Sequence, residues 1–90
     1  MNNAQYRELT DALTTAYRAA LVASARQARP GNLNCAAQAV RLIDSVRDVY
    51  RTEGLRAFQQ QLKRLLANLD WWLGPEAARA KHVLKFWSTR

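Results

Sequence analysis

Apolar residues recur at Leu55, Phe58, Leu62, Leu65, Leu69 and Trp72, stepping three and four positions without a break. That rhythm belongs to a helix that buries one face along its whole length. It predicts a helix over 55–73, a rod of roughly 28 Å. Leu66 and Leu73 widen the stripe, so this helix is expected to meet more than one neighbour.

The same reading extends to the rest of the chain. Tyr6, Leu9, Leu13, Tyr17, Ala20, Leu21 and Ser24 share one face and predict a helix over 3–28, with Asn2 or Asn3 as its cap. Its second half is rich in small residues: Ala16, Ala19, Ala20, Ala23, Ala25 and Ala28. Such a face admits a closely packed helix, from this chain or from a second copy. Arg29-Pro30-Gly31-Asn32 then breaks the pattern, because proline disfavours helix in the residue before it and glycine permits a left-handed turn.

A second helix is predicted over 33–53, with Asn32 or Asn34 as its cap. Its broad apolar arc runs from Ala36, Ala39 and Val40 through Leu42, Ile43 and Val46 to Val49 and Tyr50. The opposite face alternates Arg41, Asp44, Arg47, Asp48 and Arg51, a pattern that suits a solvated, salt-bridged surface. This helix carries no net charge and has the widest apolar arc, so it is expected at the centre. Gly54 makes the joint to the third helix very short. Gly74-Pro75 is expected to close the third helix and open a fourth over 75–88, with Glu76 near its positive end. The fourth is apolar at Ala80, Val83, Leu84 and Trp87 and polar at Arg79, Lys81, His82 and Lys85. The expected fold is all-α: one small domain, residues 1–90, of four amphipathic helices in a bundle or orthogonal array.

Composition sharpens this picture. Hydrophobic residues make up 49% of the chain, enough for a core, and the β-branched runs that strands require are missing. No apolar run reaches the length of a membrane span. Cys35 is the only cysteine, so no disulfide forms within the chain and a reducing compartment is expected. Met1-Asn2-Asn3-Ala4-Gln5 has neither the basic nor the apolar region of a signal peptide, which makes cytoplasmic the expected location. The excess of Arg over Lys, with many alanines, points to a GC-rich bacterial gene.

The net charge is +7, and it leans toward the C-terminus. Such a charge attracts nucleic acid, acidic protein faces and lipid head groups alike. Catalytic chemistry is thinly represented. His82 has no second histidine or paired cysteine with which to hold a metal. Cys35 lies near a helix start, where a thiol pKa falls, but lacks a base and an orienting group and reads as a semi-buried small residue. Asp44 and Asp48 share a face, yet Arg41, Arg47 and Arg51 are interleaved with them. No phosphate-binding loop or serine-nucleophile motif is present. No enzyme activity, cofactor or small-molecule substrate is expected.

Binding is the remaining class of function. Trp71 and Trp72 point about 100° apart on a helix, so one of them turns away from the stripe. Tryptophan and arginine are over-represented among residues that anchor partners, which nominates Trp71, Trp87, Phe86, Leu66 and Arg64 as a protein-binding set. The expected role is a small regulator that binds a larger protein, as an anti-activator, a phage-type antagonist or an adaptor. Homodimerisation through the alanine-rich first helix or the heptad of the third is a companion expectation. The alternative is a nucleic-acid binder that uses Arg56, Lys63, Arg64, Arg79, Lys81, Lys85 and Arg90. The short Gly54 joint would suit a helix-turn-helix, but the flanking helices are longer than such motifs use. A third reading lays the basic fourth helix on a membrane surface.

Overall fold

Asn2 starts the first helix by a reciprocal pair of bonds. The Gln5 amide donates to Asn2 Oδ1 at 2.8 Å, and the Asn2 amide donates to Gln5 Oε1 at 3.1 Å. Asn34 starts the second, accepting from the Ala37 amide at 2.9 Å. The computed structural model describes residues 2–26 and 34–89. They form α1 (Asn3–Arg26), α2 (Cys35–Glu53), α3 (Leu55–Ala67) and α4 (Pro75–Ser88), with no strand among the described residues. The predicted all-α, four-helix domain is therefore observed. The extensions predicted over Gln27 and Ala28 and over Leu33, together with the break at 29–32, lie outside the described residues.

A single residue, Gly54, joins α2 to α3. Its φ of 92° and ψ of −174° lie in a region that only glycine visits easily. Its amide caps α2 by donating to the Tyr50 carbonyl, and its carbonyl accepts from the Phe58 amide in α3. Gly74 repeats the device before α4, with φ 110° and ψ 174°, the extended ψ that a following proline demands.

The third helix is shorter than predicted: it ends at Ala67, not Leu73. The Asn68 amide donates back to the Arg64 and Leu65 carbonyls, and Asn68 Nδ2 donates to the Arg64 carbonyl at 2.9 Å. Tight three-residue turns follow, from the Leu69 amide to the Leu66 carbonyl and from the Trp72 amide to the Leu69 carbonyl. Leu69 and Trp72 stay buried, so the apolar rhythm continues after the helix has stopped.

Each helix packs against two others: α1 against α2 and α4, and α3 against α2 and α4. The four form a closed ring without diagonal contacts, so α2 is not the centre of the fold. The core is built from Leu9, Ala12, Ala16 and Ala20 of α1, Ala39 and Val46 of α2, Phe58, Leu62 and Leu65 of α3, and Ala77, Ala80, Leu84 and Trp87 of α4, closed by Leu69 and Trp72. The radius of gyration is 12.6 Å, close to the roughly 12 Å of a well-packed domain of this length. Glutamine side chains tie the ring together. Gln61 Nε2 donates to Ser45 Oγ at 2.6 Å and to the Leu42 carbonyl at 3.1 Å, and Gln59 Nε2 donates to the Trp87 carbonyl at 3.3 Å.

The face of α1 differs from the expectation. Its buried stripe is Leu9, Ala12, Ala16 and Ala20, while Tyr6 and Leu21 are exposed and Leu13 and Tyr17 are only partly covered. Apart from Leu9, α1 gives its neighbours small side chains, and its larger apolar residues lie on the flank. Ala16 and Ala20 of the alanine face, and Phe58, Leu62, Leu65, Leu69 and Trp72 of the heptad, both predicted as dimer surfaces, are buried inside this chain, whereas Ala25, Leu55 and Leu73 are exposed.

Candidate functional site

The displaced flank of α1 forms one wall of an open groove. Tyr6, Leu9, Thr10 and Leu13 face Val46, Arg47, Tyr50 and Arg51 of α2, with Phe58 of α3 at the end, around a cavity of about 500 Å³. A second hollow of about 240 Å³ shares Thr10, Leu13, Val46 and Arg47 and continues to Thr14, Tyr17, Ile43 and Asp44. Residue numbers rise along α1 as they fall along α2, so the two helices border the trough antiparallel. From Tyr6 to Tyr17 it follows α1 for roughly 16 Å.

The floor is apolar and the aromatic rings stand open. Tyr6 is 53% exposed and Tyr50 50% exposed. The Tyr50 ring meets Phe58 edge-on at 5.2 Å, which fixes its position over the groove. Charge lies on one wall only. Arg47 and Arg51 are exposed one turn apart on α2, whereas the α1 wall carries only tyrosine, leucine and threonine. No carboxylate lines the larger hollow, and Asp44 borders the smaller one.

The cleft between α1 and α4 has the opposite character. Glu8, Asp11 and Glu76 line it with Arg79, beside Ala12, Thr15, Ala80 and Val83. Among the described residues, no three His, Cys, Asp or Glu side chains are grouped to hold a metal ion.

The predicted protein-binding set is dispersed. Trp87 is only 7% exposed and belongs to the core, so it is not free to anchor a partner. Phe86 is exposed and packs edge-on against Trp87 at 5.5 Å, at the end of α4 that Gln59 holds near the start of α3. Trp71 lies in the turn beyond α3, partly covered, tilted against Trp72 at 6.4 Å and donating from Nε1 to the Asn68 carbonyl at 2.6 Å. Trp71 and Phe86 thus occupy opposite ends of the α3–α4 hairpin. Leu66 is partly buried against the core and Arg64 is exposed.

The predicted basic face is likewise divided. Arg56, Lys63 and Lys85 are exposed. Arg79 borders the carboxylate-lined cleft. Lys81 sits about 200° around α4 from Arg79, and its Nζ donates to the Trp72 carbonyl at 2.5 Å. Arg90 lies outside the described residues. His82 is exposed. Cys35 is exposed too, not semi-buried as expected, because it opens α2 about 100° from Ala36, which takes the buried position.

The groove was hidden in the sequence by competition between two stripes. Leu9, Ala12, Ala16 and Ala20 sit beside Tyr6, Leu13 and Tyr17 on the same helix, and either set makes a plausible core face. The visible signal is the tyrosine content of the second stripe, since a tyrosine keeps its hydroxyl toward water.

No helix among the described residues is long and apolar enough to cross a membrane. Comparison with protein-family models, with curated proteins and with solved structures finds no match to this chain.

Proposed function

We propose that this chain binds another, larger protein through the groove between α1 and α2, and that it regulates that target in the cytoplasm as an inhibitor or adaptor without catalysing a reaction. The observation that carries the reading is the pair of half-exposed tyrosines, Tyr6 and Tyr50, which border an apolar hollow with the partly exposed Leu13, above the buried Leu9, Val46 and Phe58. Apolar hollows with a few convergent polar groups are where ligands and partners settle. Tyrosine and arginine, which line this one, are enriched among anchoring residues.

The test is affinity capture from nuclease-treated bacterial lysate with high-salt washes, run with the tagged protein beside its Tyr6→Ala/Tyr50→Ala variant. Both tyrosines are half-exposed, so the variant keeps the core intact. A stoichiometric protein held by the native chain and reduced about tenfold or more with the variant is the expected result. Equal retention by both proteins would move the interface elsewhere. Recovery of nucleic acid alone from a parallel untreated lysate washed at low salt, lost on Lys63→Ala/Lys85→Ala, would favour the basic alternative.

A further inference from the structure

Resting on that reading, we infer that the groove receives an amphipathic helix of the partner whose one flank is acidic. Three properties of the trough select this occupant. Its length, roughly 16 Å, is that of three helical turns, and its antiparallel walls, α1 and α2, are themselves the ridges between which a third helix packs. Its accessible apolar surface, the rings of Tyr6 and Tyr50 with the partly exposed Leu13, Tyr17 and Ile43 above buried Leu9, Val46 and Phe58, offers purchase to side chains that recur every three and four residues. Its charge is one-sided: Arg47 and Arg51 stand four residues apart on the α2 wall, matching carboxylates four residues apart on the incoming helix, while the α1 wall is uncharged.

The alternatives fit less well. A second copy placed symmetrically on the groove would set Arg47 and Arg51 against either the α2 wall that carries their own counterparts or the uncharged α1 wall, and would bring a further +7. A compact small molecule is poorly enclosed, because the trough is open along its length and runs on into the second hollow. A nucleic-acid backbone needs cations along its track, and here only one wall supplies them.

The experiment uses two fluorescent peptides of about fourteen residues, roughly the eleven that span the groove as helix plus a short flank at the ends. Both repeat leucine every three and four positions. One carries glutamates four residues apart along one flank, and the other carries lysines there. Anisotropy titrations are made with the native chain, with Arg47→Glu/Arg51→Glu, and with Lys63→Glu/Lys85→Glu, which changes net charge equally at exposed sites outside the groove. The native chain is expected to prefer the acidic peptide by about tenfold. That preference should reverse in the Arg47/Arg51 variant and survive in the Lys63/Lys85 variant, and Tyr50→Ala should weaken the acidic peptide by about tenfold. The inference is overturned if the two charge-reversed variants behave alike, which would mean that net charge alone selects the peptide. It is also overturned if neither peptide saturates the native chain at about 1 mM, or if a labelled single-stranded oligonucleotide binds and is lost on Tyr50→Ala. A captured partner that needs Tyr6 and Tyr50 but is indifferent to Arg47→Glu/Arg51→Glu would leave protein binding standing and remove the acidic helix.

Discussion

Lys81 donates its ammonium to the Trp72 carbonyl, pinning the turn after α3 onto α4. A cation committed in this way contributes to the fold, not to a phosphate track. Lys81→Met keeps the aliphatic stem but removes the bond, and is expected to lower stability by about 1–2 kcal/mol, because a hydrogen bond to a charged group is worth that much when partly shielded. Lys85→Ala, at an exposed site, should stay within about 0.5 kcal/mol. Urea denaturation of the two variants makes the comparison; equal effects would mean that the Lys81 bond carries no stability. The sequence placed Lys81 and Lys85 together as basic residues. It did not show that one is engaged, because the carbonyl that engages Lys81 belongs to a turn predicted as helix.

Burial was more legible than secondary structure in the elements. Of the heptad, Phe58, Leu62, Leu65, Leu69 and Trp72 are buried, whereas Leu55 at its start and Leu73, expected to widen it, are exposed. The helix carrying the rhythm nevertheless stops at Ala67, because turns closed three residues apart keep the spacing that the apolar pattern records. Asn68 and Asp70, which favour caps and turns over helix interiors, were the local sign of the stop. In α1 the alanine stripe won the core over the tyrosine stripe, a choice that depends on how closely neighbouring helices approach. Ala16→Leu is accordingly expected to overpack that contact and cost about 1–3 kcal/mol, whereas Ala25→Leu, exposed on the same helix, should be nearly neutral. Matched thermal melts decide between that outcome and two equal shifts, which would place the alanine stripe outside the core. At the α2–α3 joint nothing lies within 4 Å of a methyl group added to Gly54, so the penalty there comes from backbone alone. Gly54→Ala should cost about 1–3 kcal/mol, and a variant as stable as the native chain in urea would show that the joint relaxes without loss.

Across the described residues, the ring of four helices fills its core from α1 with Leu9 and three alanines and leaves a long trough between α1 and α2 on the surface. The positive charge is spread over several faces, and in the trough Arg47 and Arg51 border an apolar floor with no carboxylate at the Tyr50 end. Composition alone hid this, since +7 describes a sum and the trough depends on which wall each arginine occupies. The most direct test of the trough as the working surface is hydrogen–deuterium exchange of the chain with and without its captured partner. Slowed exchange concentrated over 6–17 of α1 and 43–51 of α2, with 71–86 unchanged, is the expected result. Slowing confined to 71–86 would place the interface on the tryptophan turn and α4, and the groove would not be the binding surface.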